Sequence, residues 1–99
     1  MVKLFWTKLS KDDLQEIYYY IADDSIKFAK ITVDKIFLTS QKIIDNPNLG
    51  RIVPEIGNKT IRELIMGRYR IIYRIVNSDK VDILRVYHSA RLLSLQKLE

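Results

Sequence analysis

The sequence predicts an α+β fold in which an N-terminal antiparallel helical hairpin packs on an antiparallel sheet of three to four strands. Between residues 10 and 46, apolar residues recur at spacings of three and four, the period of an amphipathic helix. After Thr60 the apolar period changes to two, which is the period of a strand. The chain has 99 residues, and we expect residues 1–99 to form a single domain.

The first predicted elements are a short strand and a helix. Residues 2–6 are apolar and partly alternate, which favours a strand. Ser10 is a good helix N-cap, and Asp13 three residues later gives a weak form of the capping box. A helical stripe then follows, formed by Leu14, Ile17, Tyr18 and Ile21.

A second helix is predicted after a break at residues 23–25. The pair Asn46 and Pro47 ends it, because the residue before proline avoids helical geometry. A short turn between two amphipathic helices predicts an antiparallel hairpin. One side of the second helix carries Ala29, Val33, Ile36, Phe37, Ser40 and Ile44.

The second half of the chain predicts strands. Turn signals fill residues 48–60, with a short edge strand expected near residues 51–53. Three period-two runs follow at residues 61–66, 68–76 and 81–88, and the four residues 77–80 read as a hairpin loop. Short turns between sequential runs predict an antiparallel meander. Residues 90–98 suit either a tail helix or a further strand.

The charge is unevenly distributed. The net charge of +5 lies entirely in residues 51–99, whereas residues 1–50 hold seven lysines and seven acids. A concentrated basic surface attracts anionic partners. Nucleic acid or an acidic protein segment is therefore the leading kind of partner.

Arginines recur at period two along the predicted central strand. Arg68, Arg70 and Arg74 share one parity with Ile72, while the opposite parity is aromatic and apolar. We expect one face to pack on the helices and the other to present three guanidinium groups. Guanidinium forks match phosphate and carboxylate geometry. The predicted anion- or partner-binding residues are Arg51, Arg62, Arg68 and Arg74. A solvated strand face is the alternative interpretation.

His88, the only histidine, ends the last predicted strand beside Tyr87 and three residues before Arg91. Such a cluster, with Arg70 from the neighbouring strand, could cleave RNA without a metal. A proton donor or acceptor would come from His88 or Tyr87, and arginine would stabilise the charged phosphate. The alternative is a hydrogen-bonded histidine without a catalytic role. Glu55 and Glu63 are expected to pair with nearby arginines rather than act as bases.

Several functional classes lack support. The single histidine and scattered carboxylates have no metal-ligand spacing, and no Gly-rich phosphate loop or hydrolase nucleophile motif is present. We therefore expect no metal and no cofactor. The chain has no cysteine, which suits a reducing compartment, and no apolar run long enough to span a bilayer. A cytoplasmic location follows as an expectation.

Short pieces of the sequence stand in a specific order along nearly the whole chain. They are Phe5-Trp6, Asp13-Leu14, Ile17, Tyr20-Ile21, Pro47, Gly50-Arg51, Pro54-Glu55, Ile61-Arg62-Glu63-Leu64, Tyr69-Arg70-Ile71-Ile72-Tyr73-Arg74, Ile83-Leu84-Arg85-Val86, His88 and Arg91. Together they resemble the RelE/ParE superfamily of toxins, from bacterial type II toxin–antitoxin (plasmid stabilisation) modules.

The resemblance implies a small growth inhibitor neutralised by a co-expressed antitoxin, with two possible activities. ParE-like members inhibit DNA gyrase, and the two long helices with the segment from Pro47 to Arg51 are more similar to these. RelE-like members cut mRNA on the ribosome; Arg70, Tyr87, His88 and Arg91 would then be the catalytic residues. A plain basic nucleic-acid-binding domain is a further alternative.

Tyr18, Tyr19 and Tyr20 are consecutive on the first helix, so they spread around it at about 100° per residue. At least one should therefore be exposed or contact a partner chain. Ile26, Phe28 and Ile31 add apolar surface, and either an antitoxin or a second copy of the chain could cover it. The expected assembly is a toxin–antitoxin hetero-oligomer or a homodimer.

Overall fold

Two helices pack on one face of a five-stranded sheet in the computed structural model, which describes residues 1–88 and residue 98. The helices are α1, Lys8–Ala22, and α2, Ile26–Asp45. The strands are β1, Lys3–Trp6; β2, Arg51–Ile52; β3, Ile61–Met66; β4, Tyr69–Asn77; and β5, Lys80–His88. The predicted α+β fold with its helical hairpin is thus confirmed.

The sheet has five strands, one more than the upper limit of the predicted three to four, and it is not wholly antiparallel. Its order is β1-β5-β4-β3-β2, and the β2–β3, β3–β4 and β4–β5 pairs are antiparallel. β1 pairs in parallel with β5, with Lys3 opposite Lys80. The helical hairpin between β1 and β2 carries the chain from one edge of the sheet to the other.

The start of α1 differs from the prediction. Thr7 is the N-cap: its Oγ1 accepts a hydrogen bond from the Ser10 backbone N–H at 3.2 Å and donates to the Ile83 carbonyl at 2.9 Å. The predicted cap at Ser10 is wrong because both residue types cap well, and only Thr7 also contacts β5. Ser10 itself is buried inside the first turn.

The hairpin turn and the end of α2 follow the sequence signals. Ser25 caps α2 by accepting a hydrogen bond from the Phe28 N–H at 3.1 Å, and the helix ends at Asp45, just before Asn46 and Pro47. Tyr19 and Tyr20 are both exposed, as their consecutive positions predict. None of the helices in the described residues is long and apolar enough to cross a membrane.

The meander of β3, β4 and β5 is confirmed, with one tighter turn. Gly67 has a φ of 57°, a left-handed conformation that glycine adopts without strain, and it turns the chain from β3 into β4. Asn77 pairs with Lys80, so the β4–β5 loop has two residues rather than the predicted four.

The sheet carries an apolar cluster on each face. The face toward the helices packs Ile71, Tyr73, Val81 and Ile83 with Ile36 and Ile43 of α2, among other residues. Residues adjacent to these along the strands point to the opposite face. A second cluster lies there, formed by Val53, Ile61, Ile72, Leu84, Tyr87 and Leu98. The expectation that this face is left open for arginines is therefore wrong.

Candidate functional site: an arginine–glutamate network and a cleft between helix and sheet

Arg70 lies in a buried ionic network on the face of the sheet opposite the helices. Its Nε donates to Oε1 of Glu63 at 2.6 Å, and its Nη1 and Nη2 donate to the two carboxylate oxygens of Glu55 at 2.7 and 3.0 Å. The second Glu63 oxygen accepts from Nε of Arg51 at 2.5 Å. We refer to Arg51, Glu55, Glu63 and Arg70 as the Arg–Glu network.

Backbone structure brings these four residues together. Arg51 on β2 lies directly opposite Glu63 on β3, and Arg70 is on the next strand. Glu55 comes from the turn after β2, which is held by a hydrogen bond from the Val53 N–H to the Ile61 carbonyl. The network therefore fastens this turn onto the sheet.

The network favours the charged form of Arg70. Hydrogen bonds to Glu55 raise the pKa of Arg70 above its ordinary value, burial opposes the rise, and Glu63 adds to it. The Arg70 side chain is only 6% exposed and that of Glu63 is fully buried. The expectation that Glu55 and Glu63 pair with arginines is confirmed, and the network leaves little room for an external phosphate at Arg70.

The predicted row of three exposed guanidinium groups is wrong. Arg68 lies in the turn between β3 and β4, outside the strand, and Arg70 is buried. Arg74 is half-buried opposite Ile61 of β3 and Asp82 of β5. The second apolar cluster and the turn at Glu55 cover the face on which the alternation had predicted open arginines.

Arg62 is adjacent to Glu63 along β3, so its side chain lies on the opposite face of the sheet from Glu63. This position sets it apart from the other predicted anion-binding residues. Its Nη1 donates to the Gly50 carbonyl at 2.9 Å, which ties β3 to the segment before β2. Among the predicted anion-binding residues, Arg51 and Arg68 are exposed; Arg51 lies on β2, and Arg68 lies in the turn between β3 and β4.

A cleft of about 590 Å³ lies between α1 and the end of the sheet, and we refer to it as the helix–sheet cleft. It brings together Tyr87, His88 and Arg68, three of the predicted site residues. His88 is exposed and meets the Tyr69 ring edge to face, with 6.1 Å between ring centroids. The residues that line the helix–sheet cleft are Asp13, Glu16, Ile17, Tyr20, Arg68, Tyr69, Val86, Tyr87 and His88.

The helix–sheet cleft has mixed chemistry. Arg68 supplies a cation and His88 an imidazole, while Tyr20 and Tyr69 supply aromatic surface. Glu16 brings a negative charge to the same cleft, which disfavours a phosphate there. Arg70 belongs to the Arg–Glu network and does not line this cleft. Arg91, the remaining predicted catalytic residue, lies outside the described residues.

A match to a known protein family identifies the chain. A family model described as "ParE toxin of type II toxin-antitoxin system, parDE" matches residues 4–93 of the chain. The chain belongs to the ParE toxin family. It is therefore a type II toxin, and the resemblance to the RelE/ParE superfamily is confirmed.

A solved structure has the same fold as this ParE-family toxin. It is the "Chromosomal ParDE TA system from P. aeruginosa", which aligns with a TM-score of 0.71 and 24% sequence identity. The alignment covers 89% of this chain and 96% of that chain. The comparison with curated proteins gave no match.

The sequence did not predict one ion pair of this ParE-family toxin, which joins Asp13 and Arg85. The Asp13 carboxylate on α1 accepts hydrogen bonds from Nε and Nη2 of Arg85 at 2.8 and 2.9 Å, and from the Val86 N–H at 2.9 Å. The hydrogen bond to Asp13 raises the pKa of Arg85, although burial opposes it. Asp13 therefore anchors α1 to β5 at the wall of the cleft rather than completing a capping box. No local signal in the sequence could have found this pair, because its two residues lie 72 positions apart.

Proposed function

We propose that this ParE-family toxin inhibits DNA gyrase as a binding protein, without cleaving RNA, and that a cognate antitoxin neutralises it. The observation that carries the proposal is the state of Arg70. In the RelE-like reading this arginine stabilises a phosphate, but here Glu55 and Glu63 hold its guanidinium through three hydrogen bonds.

Releasing Arg70 for catalysis would be costly. Breaking a buried ion pair by removing one partner typically costs about 3 to 5 kcal/mol, because the other charge is left uncompensated. A phosphate that recruited Arg70 would have to compete with two carboxylates already within hydrogen-bonding distance. This favours a structural role for Arg70 and the ParE-like interpretation of the chain.

A second candidate function is ribosome-dependent mRNA cleavage, and it has one specific observation in its favour. Tyr87, His88 and Arg68 line the same cleft, so a proton donor or acceptor and a cation lie close together. The negative charge of Glu16 in that cleft weakens this reading. A plain nucleic-acid-binding domain rests on the net charge of +5 alone.

The test measures both activities with the same purified protein. We expect the wild type to inhibit supercoiling by DNA gyrase and to leave ribosome-bound mRNA intact. His88→Ala should inhibit gyrase as the wild type does, since His88 is exposed and would have no catalytic role. Ribosome-associated mRNA cuts that disappear in His88→Ala, with no effect on gyrase, would replace the gyrase proposal by the RelE-like one.

The antitoxin and the compartment belong to the same proposal. A basic second half of the chain favours an acidic antitoxin segment, and the lack of cysteine favours the cytoplasm. Exposed Arg51 and Arg68 are proposed contacts for an anionic partner, with Arg62 and Arg74 in more buried, supporting positions. If they make such contacts, affinity for that partner falls as salt concentration rises.

A further inference from the structure

Two lysines lie side by side on the sheet face opposite the helices. Leu4 and Trp6 of β1 pack into the helix-facing cluster, so the alternate residues Lys3 and Phe5 point to the other face. Lys3 is the register partner of Lys80 on β5, and residues paired in this way share a face. The backbones that carry the two lysines are therefore about 4.8 Å apart, the spacing of neighbouring strands.

This arrangement has an electrostatic cost, because like charges on neighbouring strands repel each other. Asp82 offsets part of it: its Oδ1 lies 3.6 Å from Nζ of Lys80. Arg74 is the register partner of Asp82 and adds a third cation to Lys3 and Lys80. Asp79, in the two-residue turn before Lys80, supplies one further exposed carboxylate. An excess of positive charge therefore remains at this end of the sheet face.

Protection of the sheet edge explains only one of the two lysines. β1 is the terminal strand of the sheet in the described part of the chain, and a lysine on an edge strand discourages pairing with other chains. β5 lies between β1 and β4, so Lys80 is not on an edge strand. Binding of an anion accounts for both lysines at once.

Phe5 indicates which kind of anion fits. Its side chain is 49% exposed, and Nζ of Lys80 lies 5.0 Å from the centroid of its ring. One ligand can therefore contact both the ring and the ammonium group. Lysine binds phosphate as a point charge, and an aromatic ring stacks with a nucleic-acid base. Surfaces that bind single-stranded nucleic acid combine these two contacts.

We propose that Lys3, Phe5 and Lys80 form a contact site for single-stranded nucleic acid, which we call the lysine–phenylalanine patch. Lys3 and Lys80 bind a backbone phosphate, and Phe5 stacks with a base. None of the three residues lines the helix–sheet cleft or belongs to the Arg–Glu network. Binding at the patch involves no proton transfer, so the proposal does not depend on whether the toxin acts on gyrase or on mRNA.

The test measures binding of a labelled single-stranded oligonucleotide of about eight nucleotides, within the usual site sizes. Fluorescence anisotropy with the full chain is recorded at several salt concentrations. Each phosphate contact contributes about 0.7 to the slope of log affinity against log salt concentration. The double variant Lys3→Gln/Lys80→Gln should therefore lose about 0.7 of this slope.

Two further variants separate the phosphate contact from the stacking contact. Phe5→Leu keeps an apolar side chain but removes the ring, so affinity should fall about 5-fold or more while the salt slope stays unchanged. Asp82→Asn should raise the affinity, because it removes the carboxylate that pairs with Lys80. A purely structural role of the lysines would not produce this gain.

The matched control is Lys30→Gln/Lys59→Gln, which removes the same charge from exposed lysines elsewhere. Lys30 is on α2, and Lys59 is in the turn between β2 and β3, at the opposite edge of the sheet. This variant should keep the salt slope of the wild type, and circular dichroism should give the same helix content for every variant.

Three results would overturn the proposal: no binding of the oligonucleotide by the wild type, an equal loss of slope in the control variant, or unchanged affinity in Phe5→Leu. A glutamate-rich peptide is the competing ligand. If it binds more tightly than the oligonucleotide, and only the lysine substitutions weaken it, the patch is a site for an acidic protein segment and the nucleic-acid proposal fails.

Discussion

The hydroxyl of Tyr73 on β4 accepts a hydrogen bond from the backbone N–H of Gly50 at 2.8 Å. The same hydroxyl donates to the Pro47 carbonyl at 2.6 Å, so one side chain holds both ends of the segment that follows α2. A Cβ on residue 50 would lie 2.7 Å from this oxygen and 2.6 Å from the Glu63 carbonyl oxygen. The close approach of Tyr73 therefore requires glycine at position 50.

Tyr73→Phe is expected to lower the free energy of unfolding by about 1 to 3 kcal/mol, since it leaves the buried Gly50 N–H without its acceptor. Urea unfolding followed by circular dichroism measures the change. Tyr20→Phe is the control, because Tyr20 is 83% exposed and should change stability by less than about 0.5 kcal/mol. Equal effects of the two substitutions would contradict a structural role for the Tyr73 hydroxyl.

Ionisation of Tyr73 should also lower the stability of the protein in alkaline solution. Burial raises the pKa of this phenol above its ordinary value, while the hydrogen bond from Gly50 partly opposes the rise. The folded state then holds the proton when the unfolded state has lost it, so the free energy of unfolding decreases as pH rises above about 10. Below that pH the contribution is fully present.

Urea midpoints between about pH 9 and about pH 11 test this dependence. The wild type should lose stability more steeply than Tyr73→Phe, so the two curves converge at high pH. Lysine deprotonation acts on both proteins and cancels in the difference. Parallel curves would mean that Tyr73 does not titrate differently in the folded and unfolded states.

Asp13→Asn is expected to cost about 2 to 3 kcal/mol of unfolding free energy. The substitution removes the carboxylate that pairs with Arg85, and both side chains are largely buried, at 9% and 17% exposed. Asp12→Asn is a close control, because its pair with Lys8 spans one turn at the surface and is worth about 0.5 kcal/mol or less. Thermal unfolding of the two variants should separate these costs clearly.

Leu98→Ala should destabilise the chain by about 2 kcal/mol, at the lower end for a buried leucine. Leu98 is 3% exposed and completes the apolar cluster that includes Ile72 and Leu84. Leu49→Ala, at a residue 45% exposed, serves as the comparison and should change little. A loss of stability at Leu49 as large as at Leu98 would argue against packing of Leu98 in this cluster.

Local signals in the sequence were sufficient for most elements. The period-two runs predict β3, β4 and β5 to within a few residues, and Pro47 marks the end of α2. Ser is a slightly better N-cap than Thr by residue type, so the start of α1 at Thr7 depended on a contact with β5 that no local pattern reveals. The parallel pairing of β1 with β5 likewise depends on the path of the chain through the helical hairpin, which no local pattern reveals.

The candidate site was harder to predict, because its properties depend on which residues, distant in the sequence, pack over it. Alternation correctly assigns Arg70 and Ile72 to one face of β4, but it cannot say what packs on that face. Leu98 and the turn carrying Glu55 bury it, which converts an expected anion site into an internal ion pair. Asp13 and Arg85 lie 72 residues apart, and only the folded sheet brings them together.

The pairing of β1 with β5 has a consequence for synthesis on the ribosome. The residues that pair with Lys3 to Trp6 are Lys80 to Ile83, so β1 is made well before its partner strand β5. Until then β1 lacks its neighbour and β4 lacks one of its two partners, and such non-local contacts form slowly. A growing chain therefore exposes an incomplete sheet until the residues of β5 have been made.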